Sequence, residues 1–141
     1  MFVRKKHHGI RVKDLETIIG KSVSISGDVK LGSGIRIDGR LEGNISQEDG
    51  HHCATVAIAE GAKVEGEIHA GHVIVSGDVI GNIHADRIEI LHSAHIQGDL
   101  TYSSIRIENG AKIFGLLNQT GDRKPEGRPV SLLRTEEKKS A

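Results

Sequence analysis

The residues best suited to chemistry in this chain are its histidines, nine in 141 residues. Neutral imidazole is the commonest protein ligand for metal ions, and it titrates near neutrality. Three groupings stand out. His51, His52 and Cys53 are consecutive. His69 and His84 hold the same place in two copies of a repeated motif, and His92 and His95 flank a corner. A structural zinc site needs ligands that converge, at spacings such as C-x-x-C or H-E-x-x-H. Neither spacing occurs, and neighbouring residues on an extended chain point to opposite sides. There is also no P-loop and no G-x-S-x-G. These patterns assign no catalytic residue, no metal site and no cofactor. His69 and His84 are expected to stand side by side, facing outward, about 5 Å apart on adjacent strands. Mild pH sensitivity is their expected chemistry.

The element that positions them is a short repeat. The pattern aliphatic-x-Gly-x-aliphatic occurs six times, as ISGDV (25–29), LEGNI (41–45), VEGEI (64–68), VIGNI (79–83), IQGDL (96–100) and IFGLL (113–117). Its glycines, Gly27, Gly43, Gly66, Gly81, Gly98 and Gly115, are 16, 23, 15, 17 and 17 residues apart. A near-constant short period is the signature of a solenoid. Each full repeat also carries an aliphatic-x-aliphatic unit, such as Ile35-Arg36-Ile37, Val73-Ile74-Val75 or Ile105-Arg106-Ile107. Alternation with period two is strand chemistry with one buried face. Short strands of this kind bury that face only by winding into a coil in which all inward columns meet. The prediction is an all-β fold: a parallel β-helix (solenoid) of about six turns, with flexible N- and C-terminal tails. A β-sandwich is the alternative, but it rarely keeps one motif in register six times.

Twenty-four aliphatics fall on the predicted inward columns, from Val23 and Ile25 to Ile113 and Leu117. Each contributes about 1.5–3 kcal/mol when fully buried. A narrow core lined by β-branched residues accounts for the scarcity of aromatics, which number three: Phe2, Tyr102 and Phe114. Asp38-Gly39 and Ser76-Gly77 are expected to make short corners, with longer ones at Glu60-Gly61-Ala62, Ser93-Ala94 and Asn109-Gly110-Ala111. The 23-residue step between Gly43 and Gly66 is too long for one turn, and its excess is placed in a surface loop at 46–54. The domain reading is therefore a basic, disordered arm at 1–16, the β-helix at 17–117, and a disordered tail at 118–141.

A formal net charge of zero hides a partition: +5 over residues 1–13, −7 over 14–117 and +2 over 118–141. The single cysteine forms no internal disulfide, which fits a reducing compartment. No apolar run approaches the length of a membrane span, and the N-terminal residues lack the apolar stretch of a signal peptide. The expectation is a cytoplasmic protein.

A stack of turns has two open ends, and soluble solenoids usually cap them. The flanks here do not read as firm caps. Phe114 and Leu116 occupy, in the last turn, the sites that hold Glu65 and Glu67 three turns earlier. With Ile113 and Leu117 they make an apolar terminal rim suited to end-to-end strand addition. The competing expectation is that Phe114 and Leu116 fold over the end and plug it.

The stretches TIIGKSVSISGDV (17–29), GIRIDGRLEGNI (34–45) and VAIAEGAKVEGEIHAGHVIVSGDVIGNI (56–83) resemble the bactofilins, bacterial polymer-forming cytoskeletal proteins. The resemblance covers about 17–117, and the loop at 46–54 is longer than the compact family pattern. It implies a right-handed, three-sided β-helix and nucleotide-independent filaments joined end to end. It also implies a role in cell shape or in organising cell-wall synthesis or remodelling enzymes. The family's apolar residue at the polymer contact in the last turn maps onto Phe114.

The arm MFVRKKHH supplies a candidate membrane site. Met1, Phe2 and Val3 enter the headgroup region while Arg4, Lys5 and Lys6 face anionic phosphates. Each cation contributes about 1 kcal/mol at such a surface, and many arms on one filament bind by avidity. The resembled family often uses such a tail for membrane targeting. The expected partners are therefore further copies of the chain, the anionic inner surface of the cytoplasmic membrane, and cell-wall enzymes. Nucleic acid is not expected, because the body is acidic and few aromatics are available to stack bases. Two other classes are weighed. A trimeric β-helix enzyme of the acyltransferase or carbonic-anhydrase type would follow a six-residue repeat, which this chain does not keep. A phage or surface adhesin built as a β-helix conflicts with the lack of a signal peptide and with the basic arm.

Overall fold

The computed structural model describes residues 16–48 and 54–120. The predicted membrane residues Met1–Lys6, the triplet His51-His52-Cys53 and the tail from 121 onward lie outside the described residues. What is described is all β, with sixteen strands and no helix, and every strand pairing is parallel.

The strands fall into three columns, which are the three sides of the coil. One side is a six-stranded sheet with one strand per turn: β2 (Ser24–Ser26), β5 (Arg40–Glu42), β8 (Lys63–Glu65), β10 (Asp78–Ile80), β12 (His95–Gln97) and β15 (Lys112–Phe114). A second side begins with β1 (Thr17–Ile19), β4 (Gly34–Ile37) and β7 (Thr55–Ile58). The third begins with β3 (Val29–Leu31) and β6 (Ile45–Gln47). Two eight-residue strands, β9 (Ile68–Val75) and β11 (Ile83–Ile90), bend from the third side onto the second. The stack closes with β13 (Leu100–Tyr102) and β16 (Leu117–Gln119) on the third side and β14 (Ser104–Ile107) on the second. The predicted solenoid of about six turns is the fold.

Register makes the inward columns continuous. Ile35 pairs with Val56, Val56 with Val73, Val73 with Ile88, and Ile88 with Ile105. Seventeen of the twenty-four aliphatics assigned to the inside are buried. The other seven are Val23, Ile25, Val29, Ile105, Ile107, Ile113 and Leu117, and all lie in the first or last turn. They point along the right columns, but no described turn covers them on one side. Val23 is 42% exposed and Ile107 44% for this reason.

The glycine column stacks as well. At Gly81 the backbone has φ of 144°, a region L side chains rarely adopt, and a Cβ there would run into the Gly66 carbonyl. A glycine at this corner lets successive backbones sit directly on one another. The longer corners close with i→i+3 hydrogen bonds, as in Ala62 N to Ala59 O at 3.0 Å and Ala94 N to Leu91 O at 3.0 Å.

Two boundaries differ from the sequence reading. Ser46 and Gln47, assigned to the loop, belong to β6 and pair with Lys30 and Leu31. The chain stays in register for two residues longer because Gln47 continues the ladder. At the other end, Asn118 and Gln119 pair with Thr101 and Tyr102, so the β-structure runs past 117.

Candidate functional site: the terminal turn and the histidine column

The last turn is built from β14, β15 and β16, each paired on one side only among the described residues. Their outer edges present unpaired backbone N–H and C=O groups. Phe114 lies in register with Gln97, Ile80 and Glu65, so it faces outward at the rim and is 66% exposed. Leu116 is 65% exposed and Leu117 45%. Ile113 lies inward, above Ile96, and is half-buried. No described residue covers Phe114 or Leu116, and neither folds over the end as a plug.

A side-chain ladder explains how this rim ends. Beside the glycine column stand Asp28, Asn44, Glu67, Asn82, Asp99 and Leu116. The Asp28 carboxylate accepts the Asn44 N–H at 2.9 Å, and the Asn44 amide oxygen accepts the Glu67 N–H at 2.9 Å. Asn82 Oδ1 accepts from Asp99 N at 2.9 Å, and Asp99 Oδ1 from Leu116 N at 3.0 Å. The relay runs in two segments, Asp28 to Asn44 to Glu67 and Asn82 to Asp99 to Leu116; Glu67 meets Asn82 only through their side chains, at 3.4 Å, and Leu116 offers no acceptor. The ladder stops where the apolar rim begins. The sequence analysis did not single out these Asp and Asn residues; the stacked geometry reveals their hydrogen bonds.

The histidines separate into distinct settings. His69 on β9 and His84 on β11 are register partners, as expected. Their rings stack at a centroid distance of 4.4 Å with planes 13° apart. Glu67, missed by the sequence reading, joins them: its Oε1 lies 3.4 Å from His69 Nε2. One donor atom from each of Glu67, His69 and His84 falls within 4.8 Å of the others. Glu67 lies two residues before His69, so the shared side of the strand was readable, but its reach toward His84 was not. His92 and His95 do not converge: His92 Nδ1 lies 3.4 Å from Glu108 Oε1 and His95 Nδ1 3.6 Å from Asp78 Oδ1. A fifth histidine, His72, approaches Glu89 Oε2 at 3.2 Å. Arg87 and Arg106 converge on that same half-buried carboxylate, at 3.6 and 3.7 Å.

The geometry defines a β-solenoid whose distinctive surface is an apolar end, uncovered among the described residues. The family model for bactofilins, described as polymer-forming cytoskeletal, matches residues 17–118. This chain belongs to the bactofilin family. It is 28% identical over 115 residues to bactofilin BacP of Myxococcus xanthus (strain DK1622), covering 81% of this chain and 45% of BacP. It is 30% identical over 100 residues to bactofilin BacO of the same organism, covering 70% of this chain and 75% of BacO. The chain thus matches less than half the length of BacP and three quarters of BacO. No solved structure matches it. Membership places it in a polymer-forming cytoskeletal family. No described helix is long and apolar enough to cross a membrane.

Proposed function

We propose that this chain is a bacterial cytoskeletal scaffold that assembles end to end into filaments without nucleotide. The observation that carries the reading is the last turn. Phe114 and Leu116, each about two-thirds exposed, flank strand edges that are open among the described residues. Seating another copy there satisfies the open N–H and C=O groups and removes the apolar rim from water in one step. Leu117 and Ile113 complete the contact from the inward columns. The uninterrupted aliphatic core makes each protomer a stiff rod, which suits a filament. Through the basic arm, Met1–Lys6, the filament attaches to the inner face of the cytoplasmic membrane, many weak contacts adding by avidity. There it positions enzymes of cell-wall synthesis or remodelling and so bears on cell shape.

The test is sedimentation of wild type beside Phe114→Arg. A charge in the contact is expected to move the protein from the pellet to the supernatant as small species, with its β circular dichroism unchanged. Pelleting equal to wild type would place the contact elsewhere.

A further inference from the structure

We propose that Glu67, His69 and His84 form a binding site for a divalent transition-metal ion of the zinc class. The site lies on an outward face of the third and fourth turns, away from the terminal rim, and stands independently of the filament reading. Its ligand set, two imidazoles and a carboxylate, is one that zinc accepts with a further position open to water. The pairing of β9 with β11 fixes the two histidine backbones in register. Only side-chain torsions are then left to adjust.

The donors lie within 4.8 Å of one another. Bonds of about 2.0–2.2 Å in tetrahedral geometry place them roughly 3.3 Å apart. The closure required is therefore modest, and the side chains of Glu67 and His69 are half-exposed and free to make it. A bound ion lies near the plane of each imidazole, so the two rings must open from their 13° stack into a wedge. Asn82 Nδ2 lies 3.4 Å from Glu67 Oε2, where it steadies the carboxylate and leaves Oε1 for the ion. The neighbouring positions of the histidine column are the neutral Ser46 and Thr101, so no cation competes there. Gln47 lines the same depression as the two histidines, and its Oε1 is buried without a partner among the described residues. Bound metal would staple the third turn to the fourth.

Metal-free, full-length protein titrated with Co2+ and followed by visible absorption tests this, with Zn2+ calorimetry for stoichiometry. One ion per chain is expected. His69→Ala and His84→Ala should each weaken binding by at least about 10-fold, and Glu67→Gln by a few-fold. Both histidines face outward, so circular dichroism should confirm that the variants fold. A variant with His51, His52 and Cys53 replaced by alanine should bind as wild type. Absence of any cobalt spectrum at millimolar metal would overturn the proposal. So would binding that survives loss of His69 and His84 but vanishes with the 51–53 replacement.

Discussion

Gly27 and Gly81 offer a matched test of what the glycine column does. Both sit at positive φ, 132° and 144°, so alanine at either position meets backbone strain. That strain costs roughly 1–3 kcal/mol. They differ in what lies beneath them. A Cβ on Gly27, in the first turn, meets nothing within 4 Å, whereas one on Gly81 is driven into the Gly66 carbonyl. Relief at Gly81 requires the turns to part. That strains the hydrogen bonds that join these two turns, Gly66 N to Ile80 O at 2.9 Å and Ile68 N to Asn82 O at 3.0 Å. At about 1 kcal/mol per bond, plus lost packing of the buried Val79 and Ile83, Gly81→Ala should cost about 2–3 kcal/mol more than Gly27→Ala. With a urea slope of about 1–3 kcal/mol per molar, the two midpoints should separate by roughly 1–2 M, Gly81→Ala being the lower. Unfolding followed by far-ultraviolet circular dichroism reads this directly. Coincident midpoints would show that close approach of stacked turns is not why the column is glycine.

Further outcomes follow from the same geometry. Removing residues 1–8 should abolish pelleting with anionic liposomes while sparing filaments; pelleting that persists would exclude the arm as the anchor. Asp99→Leu removes the acceptor for the Leu116 N–H and repeats the Leu116 chemistry one turn early, so it should loosen the last turn. The expected cost is about 1 kcal/mol, seen as faster amide exchange at Leu116. Glu89→Ala leaves His72, Arg87 and Arg106 facing one another without their shared carboxylate. Because both arginines are well exposed, the cost should be about 1 kcal/mol and should shrink in high salt, as urea midpoints at two ionic strengths would show.

Much of this fold was legible in the residues, because a parallel coil maps sequence period directly onto space. The positions of Ile35, Val56, Val73 and Ile88 could be stacked on paper, since every turn repeats the last. What the pattern could not carry was the environment at the ends. Val23, Ile107 and Leu117 obey the inward alternation yet are exposed, because burial depends on a neighbouring turn and not on local periodicity. The loop boundary failed similarly: Ser46 and Gln47 carry no aliphatic signal, yet the parallel ladder holds them in β6. At the candidate sites, Phe114 and Leu116 were visible as apolar residues where earlier turns place glutamates. The histidine pair was visible from its spacing. Glu67 was not, because its part depends on a side-chain reach that strand spacing does not encode.

The central claim, that the open apolar end joins copies of this chain into filaments, is tested most directly by negative-stain electron microscopy. The full-length protein would be purified and imaged without nucleotide. Long, unbranched filaments of a width set by one β-solenoid are predicted, with short particles only for Phe114→Arg. A wild-type chain that stays monomeric across protein concentration, salt and pH would contradict the account.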